Sequence, residues 1–182
     1  MALLDVLRFP HPVLKQKARP VSEFSPGLAQ LAQDMLETMY EEKGIGLAAN
    51  QVGQLKRLVV MDLGVNGEGY DPPDGEGGEA PARRDPKVFV NPVLERAEGE
   101  INTEEGCLSV VEFTAEVQRA ETIEVSYQTL EGEARRETLT GIPAVCLQHE
   151  MDHLEGKLFI DHLSPLRRQM VKKRLAKLAR SA

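Results

Sequence analysis

The sequence lacks several features that would assign it to common protein classes. No run approaches the 18 uninterrupted apolar residues of a membrane-spanning helix, and residues 1–15 have neither the basic start nor the apolar core of a signal peptide. Positive charge is also scarce, because 22 basic residues face 29 acidic ones and the net charge is -7. Most of such a surface would repel polyanions. We therefore expect a cytoplasmic protein with neither DNA nor a membrane as its partner.

Cysteine is scarce as well, with only Cys107 and Cys146 in the chain. An intracellular protein keeps such thiols reduced, so we expect no disulfide and leave each cysteine free for another role. At 182 residues the chain is long enough for one well-cored domain and too short for two ordinary ones. We expect a single domain spanning residues 1–182 and a monomer.

Hydrophobic periodicity predicts the order of the main elements. An amphipathic helix begins at Ser25-Pro26, a cap followed by proline, and ends at Gly44. A second helix begins at Pro143 and stops near Gly156, and a basic third helix covers about 165–180. Strands are predicted at 56–63, at 87–90 and, as a β-hairpin, at 122–130 and 134–139. This order predicts an α+β fold with mainly antiparallel β-sheets around the second helix.

The segment 64–86 separates two of these strands. It contains six glycines, four prolines and six acidic residues. Such a composition cannot bury enough apolar area to offset the entropy lost on ordering. We expect a flexible acidic loop.

The most informative motif is His149-Glu150-Met151-Asp152-His153. On a helix, two histidines four residues apart lie one turn apart on the same face, so both can bind one metal ion. Glu150 is about 100° round the helix from His149, close enough to move the proton of a water held by that ion. The motif indicates metal-assisted hydrolysis.

Two histidines leave such a metal short of a ligand, because catalytic sites of this kind have three protein ligands and one open position. Cys107, which follows Gly106, is the candidate for the third. A thiolate with two imidazoles suits Fe(II), Zn(II), Co(II) or Ni(II) better than Mg(II) or Ca(II). Cys146 lies one turn before His149 and is either a ligand or a pocket wall. We favour the wall, since a fourth ligand would close the site.

Other candidate residues carry weaker signals. His11 and His162 have no partners at useful spacing, so we expect both to be structural or solvated. The glycine-rich run 44–51 would let backbone N–H groups meet a substrate, but it lacks the sequence and the strand-to-helix context of a phosphate loop. It is equally compatible with a helix C-cap.

Three segments stand in order along the chain: 44–51, 105–109 and 148–153. Together they resemble the three signature motifs of bacterial peptide deformylases. The likeness extends to residues 10–21, to residues 157–165 and to the C-terminal helix, so it covers nearly the whole chain. The resemblance implies an enzyme that removes the formyl group from the N-terminal formyl-methionine of newly made polypeptides and releases formate.

The resemblance also implies roles for individual residues. Cys107, His149 and His153 would bind one metal ion, usually Fe²⁺, which Zn²⁺, Ni²⁺ or Co²⁺ can replace. Glu150 would be the general acid and base. The side chain of Gln51 and the backbone N–H of Leu108 would hold the formyl oxygen as it gains negative charge. Gly46 would bind the peptide backbone, and the other implied contacts to substrate are Ile45, Glu105, Ile142, Val145 and Cys146.

One stretch departs from the pattern. After the cysteine motif the family usually continues with an aliphatic residue, a proline and, shortly after, an arginine. Here Val111 and Thr114 stand in that stretch, which holds neither proline nor arginine. We therefore expect the recognition of residues after the methionine to differ. The segment 64–86 is also longer than the compact turn that the pattern predicts.

Two rival functions stay open. A zinc peptidase with the same histidine motif would take its third ligand from a downstream Glu or His, and this chain offers only Glu155 and His162 nearby. A catalytically altered, deformylase-like binding module would keep the fold without the reaction. Metal content after removal of the Cys107 thiol separates the first rival from a deformylase.

The C-terminal residues 162–182 hold seven basic residues and no acidic one, which leaves 15 basic against 29 acidic residues in 1–161. A solvated helix face explains such a run without any partner. In bacterial deformylases this helix docks on the ribosome, so the resemblance implies contact with ribosomal RNA phosphates.

Overall fold

The regular elements lie within residues 2–67, 69–70 and 84–181, which this computed structural model describes. The helices are α1 (Pro26–Glu41), α2 (Ile142–Leu154) and α3 (Pro165–Ser181). The strands are β1 (Gly46–Ala48), β2 (Leu58–Met61), β3 (Lys87–Glu98), β4 (Ile101–Cys107), β5 (Val110–Arg119), β6 (Thr122–Gln128) and β7 (Ala134–Thr140). Short 3₁₀ turns cover Pro12–Lys15, Ala49–Val52 and Phe159–His162.

The strands form two antiparallel sheets. The larger sheet has the order β1-β2-β3-β6-β7, and the smaller sheet is the β4-β5 hairpin. The short strand β1 therefore lies at an edge of the larger sheet. All pairings within the two sheets are antiparallel, which confirms the predicted fold class.

Helices α1 and α2 cover opposite faces of the larger sheet. Strand β2 is buried at every position, because Val59 and Met61 belong to the cluster that contains α2, while Leu58 and Val60 belong to the cluster that contains α1. A strand buried on both faces reads as a continuous apolar run, as residues 58–61 do. The larger sheet thus holds α2 as a central, mostly buried helix.

The C-terminal helix α3 packs elsewhere. Its buried Val171 and Leu175 contact a third cluster that includes Val117 of β5 and Phe159. This cluster joins the β4-β5 hairpin to the segment that follows α2. Removal of α3 would therefore uncover apolar side chains beneath the hairpin.

The three helices and the hairpin of β6 and β7 occur where the sequence predicts them. Strand β3 continues past its predicted end at Val90, because Asn91 takes a φ of 51° and the pairing with β6 shifts between Val90 and Val93. The hydrophobic pattern did not predict β1, β4 and β5. Of the acidic segment 64–86, residue 68 and residues 71–83 lie outside the described residues. No helix among the described residues is long and apolar enough to cross a membrane.

Candidate active site

Helix α2 brings the histidine motif into the interior. The rings of His149 and His153 have centroids 5.1 Å apart, and the two residues are 8% and 1% exposed. The helix starts after Gly141, whose φ of 75° is left-handed, with proline at the second position. Both imidazoles therefore lie on one face of α2, as predicted.

Cys107 reaches the histidines from the end of β4, just before the two-residue turn at Leu108-Ser109. Its Sγ lies 3.4 Å from His153 Nε2. One ligand atom each from Cys107, His149 and His153 lie within 4.8 Å of one another, the one cluster of this kind in the described part of the chain. Three such atoms can bind one metal ion and leave a position open.

A buried ion-pair network holds His149. A carboxylate can only accept, so His149 Nδ1–H donates to Glu105 Oε1, at 2.8 Å. The guanidinium of Arg119 donates to both oxygens of Glu105, at 2.6 and 2.8 Å, and to Asp152 Oδ2 at 2.9 Å. This fixes the His149 tautomer and leaves Nε2 free for a metal. No sequence pattern indicated this role for Arg119 or Asp152.

The electrostatics of the site favour a cation. Burial opposes the charged form of Glu105, but hydrogen bonds from His149 and Arg119 outweigh the effect of burial and lower the pKa of Glu105. Burial also works against a charged His149, yet Cys107, Glu105 and Glu150 together raise its pKa well above the ordinary value. Burial and the neighbouring His149 lower the pKa of His153 well below its ordinary value, which favours the neutral ring that binds a metal. The acidic groups around His149 and the thiol and imidazole donors fit the divalent metal expected for the site.

Glu150 lies beside the ligand atoms and is 4% exposed. Its Oε1 is 3.8 Å from His149 Nε2, and its Oε2 has no hydrogen-bond partner among the described residues. Burial raises the pKa of Glu150 to about 7. A Cβ built on Gly46 would lie 3.0 Å from Glu150 Oε1 and 2.9 Å from Cys146 Sγ, so only glycine leaves room for this packing.

The side-chain amide of Gln51 is held in one orientation. Its Oε1 accepts from Ala48 N–H at 2.9 Å, and its Nε2 donates to Ser109 Oγ at 3.1 Å and lies 3.5 Å from Cys107 Sγ. The amide nitrogen is therefore turned towards Cys107, one of the three candidate ligands. A donor fixed in this way needs no rearrangement before it meets a developing negative charge.

These residues surround one cavity of about 400 Å³. Every residue that the sequence analysis assigned to the site lines it except His153; those lining it are Ile45, Gly46, Gln51, Glu105, Cys107, Leu108, Ile142, Val145, Cys146, His149 and Glu150. Burial raises the pKa of the Cys146 thiol well above its usual value, and this residue is not in the ligand cluster. A neutral thiol at this position suits a pocket wall.

The stretch that departs from the family pattern forms a bulge in the β4-β5 hairpin. Between the pairs Glu105–Ala115 and Cys107–Val110, β4 has only Gly106 whereas β5 has the four residues 111–114. Glu112 within it takes a left-handed φ of 59°. Thr114 Oγ1 donates to Glu104 Oε1 at 2.6 Å. The bulge therefore meets the cavity wall through Glu104, which lines the cavity.

The remaining candidates lie outside the cluster. His11 Nδ1 accepts from Val13 N–H at the start of a 3₁₀ turn, and His162 pairs with Asp152 at 2.7 Å on the surface. Glu155 pairs with Arg57 at 2.8 Å. Neither downstream residue that a zinc peptidase would need reaches the two histidines of α2.

Comparison with known proteins agrees with this geometry. The family model for polypeptide deformylase matches residues 3–169. A peptide deformylase from Erythrobacter litoralis is 48% identical, with the whole of both chains covered. The solved structure of a peptide deformylase from Legionella pneumophila is 40% identical, with a TM-score of 0.82 over 98% of this chain and 96% of that one. The chain belongs to the peptide deformylase family, metal-dependent hydrolases that remove the formyl group from the N-terminus of new proteins.

Proposed function

We propose that the cavity is the deformylase active site and that Glu150 is its general acid and base. The observation that carries this proposal is the buried Glu150 carboxylate beside the convergent atoms of Cys107, His149 and His153. A carboxylate with a pKa of about 7 is suited both to take a proton and to return it near neutral pH. Glu150 would take the proton of the attacking water and deliver it to the departing amine.

We propose that Cys107, His149 and His153 hold a single Fe²⁺ ion, which Zn²⁺, Ni²⁺ or Co²⁺ can replace. The mixed thiolate and imidazole donors support this choice over Mg²⁺. A divalent ion bound there would polarise the formyl oxygen and lower the pKa of a water to about 7. Glu105 would act as a positioning residue, because its carboxylate is engaged by His149 and Arg119 although it lines the cavity.

We propose that Gln51 and the backbone N–H of Leu108 stabilise the formyl oxygen as it gains negative charge. The fixed amide of Gln51 and the position of Leu108 on the cavity wall support this assignment. In comparable oxyanion holes one such donor is worth about 3–4 kcal/mol.

The substrate's methionine side chain would lie against Val145 and Cys146, which are buried, and Ile45 and Ile142, which are 41% and 42% exposed. An apolar wall with this chemistry suits an unbranched thioether side chain. Gly46 would pair with the peptide backbone, because β1 is an edge strand of its sheet.

The decisive experiment is formate release from formyl-Met-Ala-Ser by protein purified without oxygen, with metal analysis of the same sample. Glu150→Ala should keep its metal and lose turnover, whereas Glu155→Ala, at the partly exposed C-cap of the same helix, should keep both. Appreciable turnover in the Glu150 variant would exclude its role. An inactive wild type that holds one metal ion would contradict the proposed function.

We propose that the chain is a cytoplasmic monomer that meets nascent chains at the ribosome through α3. Lys172 pairs with Asp161, but the basic residues Arg167, Lys173, Arg174, Lys177 and Arg180 are exposed. Neutralising Lys173, Lys177 and Arg180 should weaken ribosome binding and flatten its salt dependence, without uncovering the apolar residues beneath α3. If this variant bound the ribosome as tightly as wild type at every salt concentration tested, the proposed contact would be refuted.

A further inference from the structure

One buried carboxylate joins the two ends of the acidic segment. Asp62 is fully buried, and its Oδ2 accepts from Tyr40 Oη at 2.5 Å. Its Oδ1 accepts from the backbone N–H groups of Gly64, at 2.8 Å, and Asp85, at 2.9 Å. The chain therefore leaves and re-enters the sheet at the same anchor.

Two further side chains from these ends pack on the anchor. The ring of Tyr70 meets the ring of Tyr40 edge to face, with centroids 5.1 Å apart. The guanidinium of Arg84 lies 3.9 Å from the centroid of the Tyr40 ring and 5.8 Å from that of Tyr70. Aromatic pairing and cation–π attraction thus hold Tyr70 in place from two sides.

The anchored group reaches the active site through two neighbouring carbonyl groups. Tyr70 Oη donates to the carbonyl oxygen of Gly44 at 2.6 Å. The backbone N–H of Asp62 donates to the carbonyl oxygen of Ile45 at 2.9 Å. These two bonds fix the entry into β1 at the point where it begins to line the cavity.

Residues 44–46 contact or form three parts of the cavity wall. A Cβ built on Gly44 would lie 3.0 Å from Leu108 Cδ1, so this backbone lies against the cysteine turn. Ile45 is part of the apolar wall, and Gly46 lies against Glu150. A shift of Gly44 would therefore move the edge on which the peptide is expected to bind.

We propose that Tyr70 is a positioning residue for substrate binding, which holds the Gly44–Gly46 edge of the cavity through its hydrogen bond to Gly44. This inference rests on the proposed function of the cavity. The metal ligands and Glu150 come from α2 and β4, which Tyr70 does not contact through a hydrogen bond. Because its hydrogen bond is made at Gly44, two residues before Gly46 meets Glu150, Tyr70 acts mainly on the affinity for the formylated peptide and much less on the chemical step.

The test compares Tyr70→Phe with Tyr127→Phe in the full-length, metal-loaded protein. Tyr127 packs on Phe89 in the larger sheet and does not line the cavity, so it controls for the loss of a phenol hydroxyl. Tyr70→Phe should raise KM for formyl-Met-Ala-Ser by about fivefold, the factor that one neutral hydrogen bond typically contributes. Its kcat and metal content should match those of the control. Equal KM values in the two variants, or a fall in kcat with unchanged KM, would overturn the proposal.

Amide hydrogen exchange supplies a readout that needs no activity. Exchange in residues 44–48 should be faster in Tyr70→Phe than in Tyr127→Phe, while exchange in α2 stays the same in both. Unchanged exchange in residues 44–48 would also overturn the proposal. An inactive wild type with faster exchange in Tyr70→Phe would refute the deformylase assignment and leave the structural coupling of Tyr70 to the cavity edge intact.

Discussion

Replacement of Gly46 by alanine tests whether the space beside Glu150 is needed for activity. Gly46 does not have a left-handed φ, so its backbone can accept a side chain. The new methyl group would instead meet Cys146 Sγ at 2.9 Å and Glu150 Cγ and Oε1 at 3.0 Å. The perturbation is therefore one of packing, and it acts on the carboxylate that we propose as the general acid and base.

The size of the effect follows from these distances. Ordinary contacts of a Cβ begin near 3.4 Å, so the sulfur must retreat by about 0.5 Å and the carboxylate by about 0.4 Å. Overpacking of this kind costs about 1–3 kcal/mol of stability. Displacement of a catalytic group by a fraction of an ångström to 1 Å costs up to about 100-fold in rate. We expect kcat of Gly46→Ala to fall by about 10- to 100-fold.

The assay is formate release under substrate saturation, with metal content and the urea unfolding midpoint measured in parallel. Gly27→Ala is the matched control, because a Cβ there meets only Ser25 Oγ, at 3.5 Å, on an exposed turn of α1. A double variant with Cys146→Ala removes the sulfur contact but keeps the contact with Glu150. The double variant should recover the urea unfolding midpoint of wild type, while its kcat should stay low.

A different result would refute the packing argument. If Gly46→Ala retains the kcat of wild type with full metal content, the position of Glu150 does not depend on the lack of a side chain at residue 46. If the double variant regains full activity, the sulfur and not the carboxylate is what the methyl group displaces.

Three further substitutions address the metal, the buried ion pair and the Asp62 anchor. Cys107→Ala should lose bound metal, measured by elemental analysis of protein purified without oxygen, because it removes one of the three proposed ligands. Arg119→Met should lower the free energy of unfolding by about 3–5 kcal/mol in urea, because it leaves Glu105 buried without its cation. Tyr40→Phe should lower the same quantity by about 1–3 kcal/mol, because Asp62 Oδ2 loses its donor.

Each of these substitutions has a control elsewhere in the chain. Cys146→Ala should keep its metal, and equal metal loss in both cysteine variants would contradict the ligand assignment. Arg135→Met breaks an exposed pair with Glu133 and should change stability by less than about 1 kcal/mol. An equally small change in the free energy of unfolding of Arg119→Met would mean that the buried ion-pair network does not stabilise the fold. Tyr127→Phe is the control for Tyr40→Phe, and an equal loss in the free energy of unfolding in both variants would contradict the role of the Asp62 anchor.

The helical part of the site could be predicted because its geometry is local. The spacing of His149 and His153 fixes their common face once the segment is a helix, and Glu150 follows from the same rotation. The predicted sheet strands were those whose apolar residues alternate or run continuously, such as 58–61. Strands β4 and β5 expose one face to solvent and hold several glutamates, so their hydrophobic pattern was too weak to identify.

Contacts between distant residues could not be predicted, because they depend on strand register. Arg119 is 14 residues from Glu105 and 33 residues from Asp152. The pairing of β4 with β5 brings Arg119 near Glu105, and the position of α2 beside the hairpin brings Asp152 to both. The same holds for Tyr70 and Gly44, which are 26 residues apart. Nothing in either local sequence indicates the partner.

Glu105 illustrates how register changes the meaning of a residue. The sequence placed it in a signature motif and predicted a contact with substrate. In the structure β5 contributes residues 111–114 opposite Gly106, so regular pairing is interrupted between Glu105 and Cys107. Cys107 can then face the histidines while Glu105 reaches behind His149 to Arg119. Spacing in the sequence alone could not distinguish Cys107, which faces His153, from Glu105, which holds His149 through its other ring nitrogen.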